Sequence, residues 1–279
     1  MGDDTFHPAG DLVIVGGGRM GEALAGGLLS RGWPADRLAV AEPVTARREE
    51  LARSHPGLRV EATASAAASG TSGRDGLGAV VAVKPHDVRG VCADLHALGV
   101  DRVLSIAAGV TLADMEEVLT SAAVLRAMPN TPALVGAGAA AVAPGSRAAA
   151  PDVEWARTVL GAIGTVVELP EASLDAVTGL SGSGPAYVFL VAEAMIDAGV
   201  LAGLARPVAR QLAVQTLLGS ARLLDETGEE ASALRAAVTS PGGTTAAGLR
   251  ALEAAGVRSA FLEAVMAAAE RARDLGRRH

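Results

Sequence analysis

The sequence predicts an α/β chain in two parts: a doubly wound parallel sheet over residues 1–170 and an all-α domain over residues 171–279. Three observations predict it. The strand-like runs of the first part are short and apolar throughout, as in strands covered on both faces. Helical patterns separate these runs, so strand–helix units repeat and the strands run parallel. Beyond about Glu171 the strand-like runs stop and long helical patterns replace them.

In order, the strand-like runs are Leu12–Val15, Leu38–Ala41, Ala79–Val83, Val103–Ile106 and Val124–Met128, each rich in Val, Ile, Leu or Ala. The helices between them are expected at Met20–Ser30, Thr45–Ser54, Asp87–Leu98 and Leu112–Leu119. Thr111 with Asp114 three positions on forms a capping-box pattern at the start of the last of these. The Ala-, Ser- and Gly-rich stretch Ala64–Gly78 reads as a helix followed by a loop. Ala139–Ala143 and Thr165–Leu169 add strands around a helix over Asp152–Ile163. The second part carries helices at Ala186–Ala202, Pro207–Glu226, Ala231–Val238 and Arg258–Leu275. The first of these is apolar nearly all round, so it must be buried on most sides, and pairing with a second copy is the natural cover.

The net charge of −7 and pI of about 5.3 oppose a nucleic-acid surface, which needs a basic face to neutralise phosphates. The single cysteine, Cys92, excludes an internal disulfide and fits a reducing compartment. Residues 1–10 are acidic and polar and lack the pattern of a signal peptide, so a cytoplasmic chain is expected. Pro185–Leu204 is the most membrane-like stretch, but Glu193 and Asp197 would be costly in lipid, so it reads as a helix buried in protein. The histidines at 7, 55, 86, 96 and 279 show no metal-ligand spacing, so no metal is expected.

The strongest local signal is the run Val13-Ile14-Val15-Gly16-Gly17-Gly18-Arg19-Met20-Gly21, a G-x-G-x-x-G that follows an apolar strand and opens a helix. Gly16 allows the tight turn, Gly18 lets the backbone approach a pyrophosphate, and Gly21 lets the helix pack on the strand. The helix start offers free N–H groups and partial positive charge to the phosphates. That is the fingerprint of a Rossmann-type dinucleotide-binding domain. Glu42 ends the second strand about twenty residues on, where an acid can accept hydrogen bonds from the adenosine ribose and favour NAD over NADP. Arg47 and Arg48 follow closely and could meet a 2′-phosphate instead; alternatively, all three are solvated charges at a helix entrance.

Ala82-Val83-Lys84-Pro85 closes another strand, and Lys84 is the only lysine of the chain. Ligands of open α/β sheets bind beyond the carboxyl ends of the strands, which puts Lys84 near a cofactor or substrate. Ala127–Ala133 is a strand-end loop stiffened by Pro129 and Pro132, with Asn130 and Thr131 as polar groups. In the second part, Ser181-Gly182-Ser183-Gly184-Pro185-Ala186-Tyr187 sets small residues before a proline at a helix start, which would expose backbone N–H groups. Its order is not the G-x-S-x-G of a hydrolase elbow. Ser240-Pro241-Gly242-Gly243-Thr244-Thr245 precedes a further helical stretch, where N–H groups and hydroxyls can hold a carboxylate or simply cap a helix.

Together these loops resemble the pyrroline-5-carboxylate reductase family, from about residue 11 to 275. The resemblance rests on AVKP (82–85), SIAAGVT (105–111), RAMPNTPA (126–133), LSGSGPAYVF (180–189) and SPGGTT (240–245), in that order behind the glycine fingerprint. It implies reduction of the cyclic imine 1-pyrroline-5-carboxylate to L-proline with NADPH or NADH. It implies a helical C-terminal domain that interlocks with its partner's in a dimer, often within a pentamer of dimers. The glycine fingerprint and the second strand end put the cofactor on Gly16, Gly17, Gly18, Arg19, Met20, Gly21 and Glu42, and the strand-end loops that carry the resemblance add Ala82, Val83, Lys84, Pro85, Ala107, Ala108 and Asn130. The resemblance puts the substrate carboxylate on Ser240, Gly242, Gly243, Thr244 and Thr245, with the Thr245 hydroxyl at the ring nitrogen as the catalytic group.

The chain departs from the family in two places. Arg19 stands where many members have Asn or Gln. Thr63-Ala64-Ser65 stands where many have an Asn that meets the adenosine ribose after the third strand. Glu42 also unsettles the family's frequent NADPH preference. Two other functions compete. A β-hydroxyacid-type dehydrogenase would need a lysine in the second domain, and none follows Lys84. A non-catalytic, nucleotide-binding redox sensor would not need ordered loops facing the strand ends.

Overall fold

In a computed structural model of the chain, residues 10–70 and 76–276 are described. Part of the 64–78 stretch, the extreme N-terminus with His7, and the C-terminal His279 lie outside them. The chain divides into two compact units, residues 1–182 with 267–279 and residues 183–266.

The first unit is built on one eight-stranded sheet in the order β3-β2-β1-β4-β5-β6-β7-β8. Its strands are β1 (Asp11–Val15), β2 (Leu38–Ala41), β3 (Arg59–Glu61), β4 (Leu77–Val81), β5 (Arg102–Ser105), β6 (Ala123–Met128), β7 (Gly138–Pro144) and β8 (Gly164–Glu168). β1 through β6 pair in parallel, β7 runs antiparallel to β6, and β8 is parallel to β7. The helices are α1 (Arg19–Ser30), α2 (Thr45–Ser54), α3 (Ala64–Ser69), α4 (Val88–Ala97), α5 (Leu112–Glu116), α6 (Ala150–Gly161) and α7 (Leu174–Val177).

Successive strand residues point to opposite faces, and both faces are covered. Leu12, Ile14, Leu38, Val40, Val80 and Leu104 pack on one side with Leu24 and Leu28 of α1 and with Trp155 and Val159 of α6. Val13, Val15, Ala39, Ala79, Val81 and Val103 pack on the other with Ala67 of α3, Cys92 and Leu95 of α4, and Met115 of α5. This double cover is why the strands read as unbroken apolar runs. Burial pushes the Cys92 thiol up to about 11, so the one thiol of the chain is neutral inside the core.

The short β3 carries Arg59 and Glu61 and shows no apolar run of its own. β4 ends at Val81, two residues earlier than the apolar run suggests. Ala82 still donates to the Val15 carbonyl, but the chain turns off the sheet there, ahead of Pro85. Thr111 and Asp114 form the reciprocal capping box that their spacing predicts. Thr63 caps α3, its hydroxyl accepting from the Ala66 amide.

The Ser181–Tyr187 segment does open a helix at its proline, but the small residues ahead of it are already helical rather than free. Thr178–Gly182 forms one wide π turn, and Ser183 itself has helical angles (φ −85°, ψ −21°). The helix that follows starts at Gly184 with Pro185 in its first turn, where the missing proline N–H costs nothing.

The second unit is helical: α8 (Gly184–Leu201), α9 (Arg206–Thr227), α10 (Ala231–Ala237), α11 (Thr244–Ala254) and the start of α12 (Val257–Gly276). α8 and α9 pack as an antiparallel pair, joined by a bend at Gly203 (φ +98°). Not one residue of α8 is buried within the chain. Phe189, Leu190 and Leu201 stand 63, 66 and 90% exposed, and Phe261, Leu262 and Met266 of α12 are open as well. Among the described residues, the helical stretch 171–201 is long and apolar enough to cross a membrane by length and composition alone. The core helix of a soluble protein passes the same test.

Candidate functional site

The strands β1, β2, β4, β5 and β6 end at one edge of the sheet. Val15 is in register with Ala41 and Val81, Val81 with Ser105, and Ser105 with Arg126. Gly16–Gly21, Glu42, Ala82–Pro85, Ala107–Ala108 and Asn130 therefore leave the sheet on the same side. β1 lies between β2 and β4, where the strand order reverses, and that is where open α/β sheets form a ligand crevice.

The glycine turn has three distinct environments. Gly16 adopts φ +108°, and a Cβ there would stand 2.5 Å from the Ala82 carbonyl oxygen. A Cβ on Gly21 would fall on the Gly16 carbonyl oxygen, so close packing of α1 on the turn needs glycine. A Cβ on Gly18 would meet no protein atom within 4 Å. Gly18 is the N-cap of α1, without a side-chain cap, and the Gly18, Arg19 and Met20 amides find no acceptor among the described residues. The turn thus presents bare backbone and unpaired N–H groups to open space. These are the features a dinucleotide pyrophosphate requires, so the residues fit such a group.

Glu42 is not a solvated charge. It is only 8% exposed, and its two carboxylate oxygens accept from the amides of Gly17 (3.0 Å) and Val44 (2.9 Å). Arg47 turns inward as well. Its Nε donates to the Gly17 carbonyl (2.7 Å), and its other nitrogens pair with Glu22 (2.5 Å) and Glu50 (2.7 Å). The hydrogen bonds that Arg47 donates to Glu22 and then to Glu50 raise its pKa above the ordinary value, so the guanidinium stays charged. Arg48 donates to the carbonyls of Glu42 (2.9 Å) and Pro43 (2.8 Å) and to the Thr45 hydroxyl (2.9 Å). The structure thereby adds Glu22 and Arg47 as clamps on the glycine turn. Glu22 carries no signal of this in the sequence beyond its place in the first turn of α1.

The remaining residues of this edge divide. Lys84 is exposed and makes no ion pair among the described residues. Pro85 begins a short 3-10 turn that leads into α4. Ala107 is buried and its amide meets the Ser105 hydroxyl (3.3 Å), whereas Ala108 is exposed. The Asn130 amide group is already engaged, donating to the Ser181 carbonyl (3.0 Å) and accepting from the Ala139 amide (2.9 Å). It ties the β6 exit to β7 and to the π turn, with one N–H and one lone pair left over.

In the second unit, Ser240–Thr245 forms a tight turn into α11. Gly242 takes φ +70°, and a Cβ on Gly243 would strike the Ser240 hydroxyl. Gly243 is the N-cap, with no side-chain cap, and its own amide donates to the Ser240 carbonyl. The amides of Thr244, Thr245 and Ala246 and the Thr245 hydroxyl have no partner among the described residues. Three amides converging at a helix start favour an anion such as a carboxylate. Among the described residues, no group of three or more His, Cys, Asp or Glu is placed to hold a metal.

Comparison with known proteins agrees with these features. Residues 171–275 match the family model for pyrroline-5-carboxylate reductase dimerisation, and residues 11–109 match that for NADP oxidoreductase, coenzyme F420-dependent. The chain is 44% identical over 270 residues to a pyrroline-5-carboxylate reductase of Synechocystis sp., covering 96% of this chain and 98% of that one. The fold is similar to a pyrroline-5-carboxylate reductase from Coxiella burnetii, with a TM-score of 0.88, 33% identity, and 96% and 98% of the two chains covered. It is also similar to Plasmodium falciparum pyrroline carboxylate reductase with NADP bound, with a TM-score of 0.82, 29% identity, and 96% and 99% coverage.

Proposed function

The chain belongs to the pyrroline-5-carboxylate reductase family, and from that premise we propose that it reduces 1-pyrroline-5-carboxylate to L-proline with NADPH or NADH. What supports the reading is that two helices, α1 and α11, each begin behind glycines with unpaired amides, and only α11 adds a free hydroxyl. The first suits a pyrophosphate and the second a carboxylate beside a reacting nitrogen.

Residues 1–170 hold the dinucleotide, and residues 171–279 hold the substrate and the contacts between copies. Gly16, Gly17, Gly18, Arg19, Met20 and Gly21 carry the pyrophosphate, with Glu42 toward the adenosine ribose. Ala82, Val83, Lys84, Pro85, Ala107 and Ala108 border the nicotinamide half, and Asn130 positions the β6 exit beside it. When bound, the dihydronicotinamide supplies a hydride to the imine carbon. The Ser240–Thr244 backbone fixes the substrate carboxylate, and the Thr245 hydroxyl hydrogen-bonds the ring nitrogen, which enters protonated as the iminium and becomes the neutral amine of proline when it takes up the C=N electron pair. Holding the reactants in line can remove roughly 7–11 kcal/mol of barrier, so the reaction does not demand an acid–base pair.

The test is a steady-state assay. The recombinant chain is expected to oxidise NADH or NADPH only when the cyclic imine is supplied. Turnover of short-chain 3-hydroxy acids in its place would support the β-hydroxyacid dehydrogenase reading. Cofactor binding without any turnover would support a redox sensor.

The exposed apolar faces of α8 and α12 are the surface for self-association, in a dimer and in a pentamer of dimers built from it, in the cytoplasm. Light scattering at micromolar concentration is expected to give at least twice the chain mass of 27.8 kDa. A folded, active monomer would refute that assignment.

A further inference from the structure

We infer that this chain is built for NADH and discriminates against NADPH, with Glu42 as the residue that decides. The inference rests on the reading that the β1–α1 turn holds a dinucleotide. In a doubly wound sheet the adenosine ribose comes to the end of the second strand, where the 2′-position meets the residue there. Here that residue is Glu42, directly after β2. Its carboxylate is fixed on the glycine turn by the Gly17 and Val44 amides and is 8% exposed, so it cannot swing away.

Each carboxylate oxygen keeps a free lone pair, enough to accept from ribose hydroxyls. A 2′-phosphate at the same place would bring a second negative charge against a buried first one, and neither arginine that follows Glu42 closely is free to offset it. Both are spent within the fold. Arg47 is held by the Gly17 carbonyl, Glu22 and Glu50, and Arg48 by the carbonyls of Glu42 and Pro43 and the Thr45 hydroxyl. Arg19 is exposed and makes no ion pair among the described residues; it stands at the first position of α1, beside Gly18, on the pyrophosphate side that both cofactors share.

The experiment is a fluorescence titration of the full-length, ligand-free chain with NADH and NADPH in parallel, without imine. The Kd for NADH is expected to be at least about tenfold lower, which is ~1.4 kcal/mol. Glu42→Gln removes the charge and keeps one acceptor oxygen, and is expected to bring the two constants within about threefold, mainly by tightening NADPH. Arg48→Ala is expected to change the two constants by the same factor. Equal or tighter binding of NADPH by the wild-type chain overturns the inference, and this needs no variant to fold. A selective loss of NADPH in Arg48→Ala overturns it too, since that arginine would then be the 2′-phosphate receptor. Failure to bind either cofactor overturns the dinucleotide reading and the inference with it. Absence of imine turnover alongside selective NADH binding overturns only the assigned reaction.

Discussion

Replacing Thr245 with alanine is expected to lower kcat roughly ten- to a hundredfold while leaving the cofactor Kd within about twofold of wild type. The hydroxyl stands in the first turn of α11 without a partner among the described residues, so deleting it breaks no internal hydrogen bond. A hydrogen bond to a group that carries charge in the transition state contributes about 1.5–3 kcal/mol. At about 1.4 kcal/mol per tenfold, that gives the stated range. The amides of Thr244, Thr245 and Ala246 survive the substitution, so carboxylate binding and hence KM are expected to change far less than kcat. Thr245→Ser retains the hydroxyl and is expected to retain most of the rate. Wild-type kcat in the alanine variant would remove Thr245 from the chemistry. An equal loss in the serine and alanine variants would assign the threonine methyl a packing task instead.

Gly16→Ala is expected to destabilise the fold by about 3 kcal/mol or more, because strain and collision act together. A non-glycine residue at φ +108° is strained, and its Cβ would press on the Ala82 carbonyl oxygen and carbon at 2.5 and 2.8 Å. Both are backbone atoms of the neighbouring strand exit, so neither can rotate aside. Gly18→Ala is the contrasting case. Its φ of −65° suits any residue, and its Cβ meets nothing, so denaturation midpoints are expected to match wild type. The added methyl nevertheless occupies the open side of the turn, and dinucleotide affinity is expected to fall at least about tenfold. Denaturant titration and cofactor titration of the two variants separate the effects. Equal destabilisation by both substitutions would refute the division of labour among the glycines.

Much of this was legible in the residues. Continuous apolar runs gave the covered strands, because double burial leaves no polar side to alternate. G-x-G-x-x-G gave its own turn, since left-handed backbone at Gly16 and close packing at Gly21 are demands only glycine meets. Thr111 and Asp114 gave a capping box because both partners lie within one helical turn. Less legible were β3, whose three residues carry two charges, and the π turn at Thr178–Gly182, where a Gly- and Ser-rich run suggested a loop. Small residues permit open and helical backbone alike, and neighbouring structure chooses between them.

Sequence by itself determined that a Rossmann-type unit is followed by a helical one whose first long helix needs a cover from outside the chain. Only the tertiary structure decided where the charges around the glycine turn point. Glu42 meets Gly17 and Arg47 meets Gly17 and Glu22 across 25 to 30 positions of chain. Those meetings exist because β2 lies beside β1 in parallel register, with Ala41 opposite Val15. Local spacing fixes a turn or a cap within a few residues. The partner of a long charged side chain is fixed by which strands become neighbours, and that selection belongs to the packed sheet as a whole.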